Sequence, residues 1–183
     1  ITCPSDIAAT TDAGSCFATV ALGSPVTADN CGVASVSNDA PATFAVGSTT
    51  VTWTVTDNYG NTATCTQEVI VTDDEDPTIN CPADIAATTD AGSCFATVAL
   101  GTPVTDDNCG VASVSNDAPA TFPIGSTVVT WTVVDNNGNT VSCTQEVVVT
   151  DDENPTITCE GAVTIDATVG SCDTPVSIAL PIT

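Results

Sequence analysis

The feature that most constrains this chain is the regular recurrence of its cysteines. They stand at positions 3, 16, 31, 65, 81, 94, 109, 143, 159 and 172, and each of the last six follows an earlier one by 78 residues. Residues 1–78 and 79–156 differ at 13 of 78 positions, which leaves 65 identical. A fixed period of this kind indicates a tandem repeat, and residues 157–183 begin a third, more divergent copy. Because the chain begins at Ile1, without a methionine and in the predicted first strand of a repeat, we expect it to be a segment of a longer protein.

Within each repeat the hydrophobic residues recur with a period of two, as in STTVTWTVTD and TATCTQEVIVTD, and no stretch has a period of 3.6. The turn sequences DNYGN and DNNGN that follow the tryptophan-containing stretches predict a hairpin in each copy. Further strands are predicted in ITCPSDIAAT, CFATVAL and GVASVSN. Short strands at this spacing predict an all-β fold of tandem immunoglobulin-like antiparallel β-sandwiches in an elongated array, with Trp53 and Trp131 buried.

The charge of the chain narrows the classes of partner and reaction. It has no lysine, arginine or histidine, and its formal net charge is −23. Nucleic acid and anionic membranes are therefore unsuitable partners, and no apolar run is long enough to insert into a membrane. Catalysis would have to depend on carboxylates or thiols alone. We therefore expect that the protein is not an enzyme.

Three ordered motifs carry a family resemblance. ITCPSDI at the start, TADNCG in the middle and TFAVGSTTVTWTVTDNYGNTATC near the end resemble the hyalin repeat, the HYR module, and the last motif recurs as TFPIGSTVVTWTVVDNNGNTVSC. The resemblance covers both full copies and the start of the third, where Glu160 follows Cys159 in place of proline. It implies an immunoglobulin-like extracellular module that serves adhesion and surface architecture, so we expect an extracellular or cell-surface location.

Four cysteines per repeat indicate disulfides and an oxidising compartment, rather than a zinc or iron–sulfur site, because no CxxC pair is present. Their spacing alone leaves three pairings open. In an immunoglobulin-like sandwich the first strand runs parallel to the last, which favours Cys3 with Cys65 and leaves Cys16 with Cys31. The second copy is then expected to pair Cys81 with Cys143 and Cys94 with Cys109.

Acidic and amide side chains are expected to converge where one repeat meets the next. Antiparallel alternation places the linker after one repeat beside two loops of the following repeat, and clustered oxygen ligands without a basic residue favour calcium. The candidate ligands are Asp73, Asp74, Glu75, Asp76, Asp106, Asp107, Asn108, Asp135, Asn136 and Asn139. Their counterparts at the other repeat ends are Asp29, Asn30, Asp57, Asp151, Asp152 and Glu153. The alternative is a solvated linker with ordinary turn formers, and no EF-hand pattern is present.

The leading functional hypothesis is a structural segment of a secreted or cell-surface fibre or adhesin stalk, disulfide-bonded within repeats and stiffened by calcium between them. The expected partners are neighbouring repeats of the same chain and identical chains in a fibre. One alternative is a multivalent glycan- or protein-binding adhesion module. Another is a filament subunit that assembles by strand exchange through residues 157–183. Repeat uniformity and low aromatic content favour a bacterial surface.

Overall fold

The computed structural model describes residues 1–159 and residue 169. These residues form fourteen strands and no helix, so no helix is present that is long and apolar enough to cross a membrane. The first repeat contains β1 (Ile7–Thr10), β2 (Phe17–Ala18), β3 (Val33–Asn38), β4 (Phe44–Ala45), β5 (Gly47–Asp57) and β6 (Thr62–Thr72). The second contains β7 (Thr78–Asn80), β8 (Ile85–Thr88), β9 (Phe95–Ala96), β10 (Val104–Asp106), β11 (Val111–Asn116), β12 (Phe122–Pro123), β13 (Gly125–Asp135) and β14 (Thr140–Thr150).

The first repeat has the strand order of an immunoglobulin-like sandwich. One sheet has the order β1-β6-β5-β3, in which β1 runs parallel to β6 and the other neighbours are antiparallel. The second sheet is the antiparallel pair of β2 with β4. A first strand that is parallel to the last, beside the two strands of the main hairpin, matches the arrangement that the sequence predicted.

The second repeat reproduces this topology. Its larger sheet has the order β11-β13-β14-β8, with β8 parallel to β14, and β9 pairs with β12. In addition, β7 pairs with β10, whereas the first repeat has only the isolated bridge between Thr2 and Val26 at the same place. The all-β fold of tandem sandwiches predicted from the period-two pattern is therefore confirmed.

Each repeat has its own core, in which the alternating apolar side chains of the long hairpin meet a buried phenylalanine. The two cores consist of Ala18, Phe44, Val51, Trp53, Val69 and Val71, and of Ala96, Phe122, Val129, Trp131, Val147 and Val149. Both tryptophans are 6% exposed, which confirms their predicted burial. Trp53 lies opposite Cys65 in the strand ladder, and Trp131 lies opposite Cys143.

The strand directions determine which loops lie at each end of a repeat. Thr10 pairs with Thr72, so the loop after β1, with Cys16, lies at the end where β6 leads into the linker. Val33 pairs with Asp57, so Cys31 lies at the opposite end, beside the β5–β6 turn. Strand β5 has 11 residues. At roughly 3.3 Å per residue, the two ends are about 30 Å apart.

This geometry confirms half of the predicted disulfides and corrects the other half. Cys3 bonds to Cys65 and Cys81 bonds to Cys143, as expected. The predicted pairs Cys16 with Cys31 and Cys94 with Cys109 are wrong, because Cys16 bonds to Cys109 of the other repeat with a Cα–Cα distance of 4.7 Å. Two cysteines at opposite ends of a sandwich are too far apart for a disulfide, which requires Cα atoms within about 7 Å.

Most of the predicted third copy lies outside the described residues, and so does the proposed strand exchange through residues 157–183. The predicted boundaries at residues 78/79 and 156/157 stay predictions.

Candidate metal centre between the repeats

Three carboxylates meet where the first repeat joins the second. Asp73 follows β6 of the first repeat, Asp107 follows β10, and Asp135 ends β13 of the second repeat. One oxygen from each of them lies within 4.8 Å of the others. At that distance each pair of charges repels by about 3 kcal/mol at an effective dielectric constant of about 20, and the chain has no basic side chain to offset it.

Asp73 is 8% exposed, and only one of its two carboxylate oxygens is hydrogen-bonded at the junction. Its Oδ1 accepts hydrogen bonds from the Thr11 hydroxyl at 3.2 Å, the Asn108 side-chain amide at 3.1 Å and the Glu75 backbone N–H at 3.3 Å. Its Oδ2 is buried and has no hydrogen-bond partner. An oxygen in that position is available to a cation.

Asp135 is 2% exposed and is held by the turn that follows it. Its Oδ1 accepts from the backbone N–H groups of residues 137, 138 and 139 at 2.8, 2.6 and 2.8 Å. Its Oδ2 accepts from the Asn139 side-chain amide at 2.7 Å. Burial raises the pKa of Asp135, but the Asn139 amide and these N–H groups together lower it by more than burial raises it. The pKa of Asp135 therefore lies below its ordinary value. Asp135 is therefore ionised at neutral pH.

The loop after β10 brings two more oxygens. Asp107 accepts the Cys109 N–H at 2.9 Å through Oδ1, while its Oδ2 is buried without a partner. Asn108 donates through Nδ2 to the Ser15 carbonyl at 3.0 Å and to Asp73, and its Oδ1 is likewise buried and unpartnered. Three unpartnered oxygens at one junction are unusual, because buried polar atoms are nearly always hydrogen-bonded.

Other predicted ligands lie near the junction but outside the carboxylate triad. Glu75 accepts the Gly14 N–H with both carboxylate oxygens, at 2.9 and 3.1 Å. Asn136 donates to the Cys109 carbonyl at 2.8 Å, and Asn139 donates to the Asp73 carbonyl at 3.3 Å as well as to Asp135. Asp74 is exposed, and Asp76 and Asp106 are exposed beside an open depression that Glu75 also lines.

The counterpart residues at the outer ends of the two repeats remain more exposed. Asp29 and Asn30 are exposed, and Asp57 is half-buried. Asp151, Asp152 and Glu153 are exposed at the far end of the second repeat. Each outer end therefore carries the residues of only one side of the junction: the loop residues at the start of the first repeat, and the linker residues at the end of the second.

The chemistry of the junction suits a hard divalent cation. The available donors are carboxylate and amide oxygens, and neither imidazole nor free thiolate is among the converging groups. Calcium takes six to eight oxygen ligands in irregular geometry, whereas magnesium requires a near-ideal octahedron. The residues present therefore fit calcium, and Asp73, Asp107, Asp135 and Asn108 are the side chains that would hold it.

Sequence reasoning missed the residues of the first repeat that support this site. Thr11, Gly14 and Ser15 belong to the loop after β1 and contact Asp73, Glu75 and Asn108, respectively. The signal was present in the strand directions, because a first strand parallel to the last places the next loop at the linker end. The same argument would have separated Cys16 from Cys31.

Comparison with known proteins places these features in a family. The HYR domain model matches residues 1–71 and 72–149. Hyalin of Lytechinus variegatus is 34% identical over 145 residues, which are 74% of this chain and 27% of that protein. Hyalin of Strongylocentrotus purpuratus is 36% identical over 148 residues, 76% of this chain and 12% of that protein. The chain thus spans a minor part of these relatives' length.

Among solved structures, human Protocadherin-24 EC1-2 is similar with a TM-score of 0.37 and 13% identity, over 81% of this chain and 95% of that one. Both hyalin relatives are animal proteins, so the preference for a bacterial surface finds no support among them.

Proposed function

This chain belongs to the HYR domain family, and from that premise we propose that it is a structural segment of an adhesion-type protein whose repeats are held rigid by calcium. The extracellular or cell-surface location is established by the family and by three disulfides, which persist in oxidising compartments. HYR domains are structural or adhesion modules and are not enzymes. In the proposed function the ion and the Cys16–Cys109 disulfide together prevent hinging at the linker.

One observation carries the proposal. Asp73 belongs to the first repeat, Asp107 and Asp135 belong to the second, and one carboxylate oxygen of each lies within 4.8 Å of the others. At the same junction three oxygens, of Asp73, Asp107 and Asn108, are buried without a hydrogen-bond partner. An ion bound there contacts both repeats at once. It removes the repulsion between the carboxylates only while the two repeats keep this orientation, so binding and rigidity are coupled.

Calorimetric titration of the full chain tests the proposal. After removal of metal with EDTA, we expect calcium to bind with a Kd of about 0.1 to 1 mM, as in other extracellular modules. At 10 mM calcium this corresponds to about 1.4 to 2.7 kcal/mol of added stability in thermal unfolding. Magnesium is expected to bind more weakly, and small-angle scattering should show a narrower distribution of shapes with calcium than with EDTA.

The repeat supplies matched control variants. D107N and D135N should each weaken calcium binding at least tenfold, because each removes a charged ligand from the triad. D29N and D57N make the same chemical change at the outer end of the first repeat, where these residues are more exposed, and should leave the junction affinity unchanged. Equal losses in both pairs, or the same scattering with calcium and EDTA, would contradict the proposal.

A further inference from the structure

Three cysteines in the described part of the chain are free, namely Cys31, Cys94 and Cys159, and the first two are counterparts of the cysteines that join the repeats. Cys31 and Cys94 are exposed and unbonded. Cys94 follows Cys16 by 78 residues, and Cys31 precedes Cys109 by the same number. Cys16 and Cys109 form the disulfide between the repeats. Cys94 therefore stands at the Cys16 position of the second repeat, and Cys31 stands at the Cys109 position of the first.

The loop that carries Cys94 already has the conformation of the bonded loop. Gly92 donates its N–H to both carboxylate oxygens of Glu153 at 3.0 Å, as Gly14 does to Glu75. Asp90 donates its N–H to the Phe95 carbonyl at 2.8 Å, which is the length of the equivalent bond in the first repeat. The loop therefore places Cys94 in the conformation of a disulfide-bonded cysteine without a bonded partner.

The loop that carries Cys31 is prepared in the same way. Asp29 accepts the Cys31 N–H at 2.7 Å, and the equivalent bond from Cys109 to Asp107 is 2.9 Å. Asn58 donates to the Cys31 carbonyl at 2.9 Å, compared with 2.8 Å for its counterpart at Cys109. The cysteine of the second repeat is half-buried by the junction, whereas Cys31 is exposed.

An independent observation indicates that, among residues 1–159, the end of the second repeat lacks a contact that the first repeat has. Thr89 is 7% exposed, and its hydroxyl is buried without a hydrogen-bond partner. Its counterpart Thr11 donates to Asp73, which the second repeat covers. The counterpart of Asp73 is Asp151, which is exposed. The orphaned hydroxyl of Thr89 and the free thiol of Cys94 thus lie at the same uncovered end.

We propose that Cys94 forms a disulfide with the cysteine at the Cys109 position of a following hyalin repeat, and that Cys31 bonds the cysteine at the Cys16 position of a preceding one. Two thiols then become one disulfide, and an external disulfide such as oxidised glutathione accepts the two electrons and two protons. The partner repeat is supplied by the same chain or by a second copy. This inference rests on the junction geometry and does not require calcium.

Complementation between two variants tests the bond between copies. Both carry Cys159→Ser and Cys172→Ser; one also carries C31S and retains Cys94, and the other carries C94S and retains Cys31. In a glutathione redox buffer we expect a disulfide-linked dimer from the mixture and monomers from either variant alone. Peptic mapping without reduction, suitable because the chain lacks the basic residues that trypsin needs, should recover a Cys31–Cys94 peptide.

A lengthened chain tests the bond within one molecule. In it, residues 157–183 are replaced by a second copy of residues 79–156. We expect Cys94 to bond the Cys109 counterpart of the added repeat and to become protected from iodoacetamide, while Cys31 remains reactive.

A bond in either experiment supports the proposal and identifies the source of the partner. It is overturned if Cys94 stays reactive in both, or if C31S alone dimerises as readily as the mixture. Calcium binding at Asp73 is measured separately, so failure of one proposal is distinct from failure of the other.

Discussion

A buried glutamine connects three segments of each repeat. Gln67 has 0% exposure; its Oε1 accepts the Trp53 indole N–H at 3.1 Å, and its Nε2 donates to the carbonyls of Ser5 at 2.6 Å and Leu22 at 3.2 Å. The period-two pattern identified the tryptophan as a core residue, because tryptophan is apolar and alternates with threonine. It did not identify the glutamine, because a polar residue at an inward position is buried only where partners from other segments satisfy it.

Substitution of this glutamine should be costly. Gln67→Met has a similar size but leaves the Trp53 indole N–H and two carbonyls without their partner. We expect the free energy of unfolding of the first repeat to fall by at least about 3 kcal/mol, because three buried or part-buried polar groups lose their partner at a cost of about 1 kcal/mol or more each. Urea denaturation measures it. Gln145→Met should reproduce the loss in the second repeat, and Glu68→Gln, at an exposed neighbour, should not.

At the scale of elements, the long hairpins and their turns were accessible from sequence. Alternation in STTVTWTVTD and the DNYGN turn correspond to β5, β6 and the turn between them. The error concerned the short strands. CFATVAL was expected to be one strand, but only Phe17 and Ala18 pair, with β4, and the chain then crosses to the other end of the repeat. A two-residue strand is too short for a period-two pattern to be recognised. The wrong pairing of Cys16 with Cys31 followed from this error.

The turn after β5 gives each repeat a stabilising contribution that depends on pH. The Asn61 side-chain amide lowers the pKa of Asp57 below its ordinary value of 3.8, and N–H groups of the turn lower it further while burial opposes them. A lowered folded-state pKa means that ionised Asp57 stabilises the fold above the unfolded pKa. That contribution is lost as the pH falls below 3.8 through the lower folded-state value.

We therefore expect the free energy of unfolding of D57N to differ most from that of the unchanged chain near pH 6 and least near pH 2. The measurement is the free energy of unfolding of both proteins in EDTA between about pH 2 and pH 6, plotted as the difference between them. Protonation of the other carboxylates relieves charge repulsion in both proteins, and the difference cancels this shared effect. A difference that is constant with pH would show that the turn does not depend on the charge of Asp57.

At the scale of the whole molecule, the sequence predicted that acidic groups meet between repeats but not how the repeats are joined. Topology placed the linker and two loops together, and the structure brings Asp73, Asp107 and Asp135 to one point. The other linker acids lie outside the triad, because consecutive residues of an extended linker point in different directions, and Asp74 and Asp76 are exposed. Only one of the four reaches the triad, and Glu75 holds the Gly14 loop instead.

Removal of the inter-repeat disulfide should weaken calcium binding. In C16S/C109S the Asn108 loop loses its covalent attachment to the first repeat, so calcium must order the two repeats as it binds. We expect about a tenfold increase in Kd, which corresponds to about 1.4 kcal/mol of ordering free energy. Calorimetric titration measures it, and C31S, which removes an exposed and unbonded thiol, serves as the control. An unchanged Kd would show that the linker alone aligns the junction.

The two disulfides inside the repeats also determine how the chain responds to tension. Cys3–Cys65 and Cys81–Cys143 each connect residues 62 positions apart, so the shortest covalent route from residue 1 to residue 159 passes through residues 1–3, 65–81 and 143–159. Pulling on both ends loads this short route and leaves most of each sandwich outside it. Unfolding a repeat therefore releases almost none of the roughly 200 Å that its bypassed 62 residues would otherwise add. Under oxidising conditions the chain is thus a nearly inextensible tether, and reduction would turn it into a stretchable one.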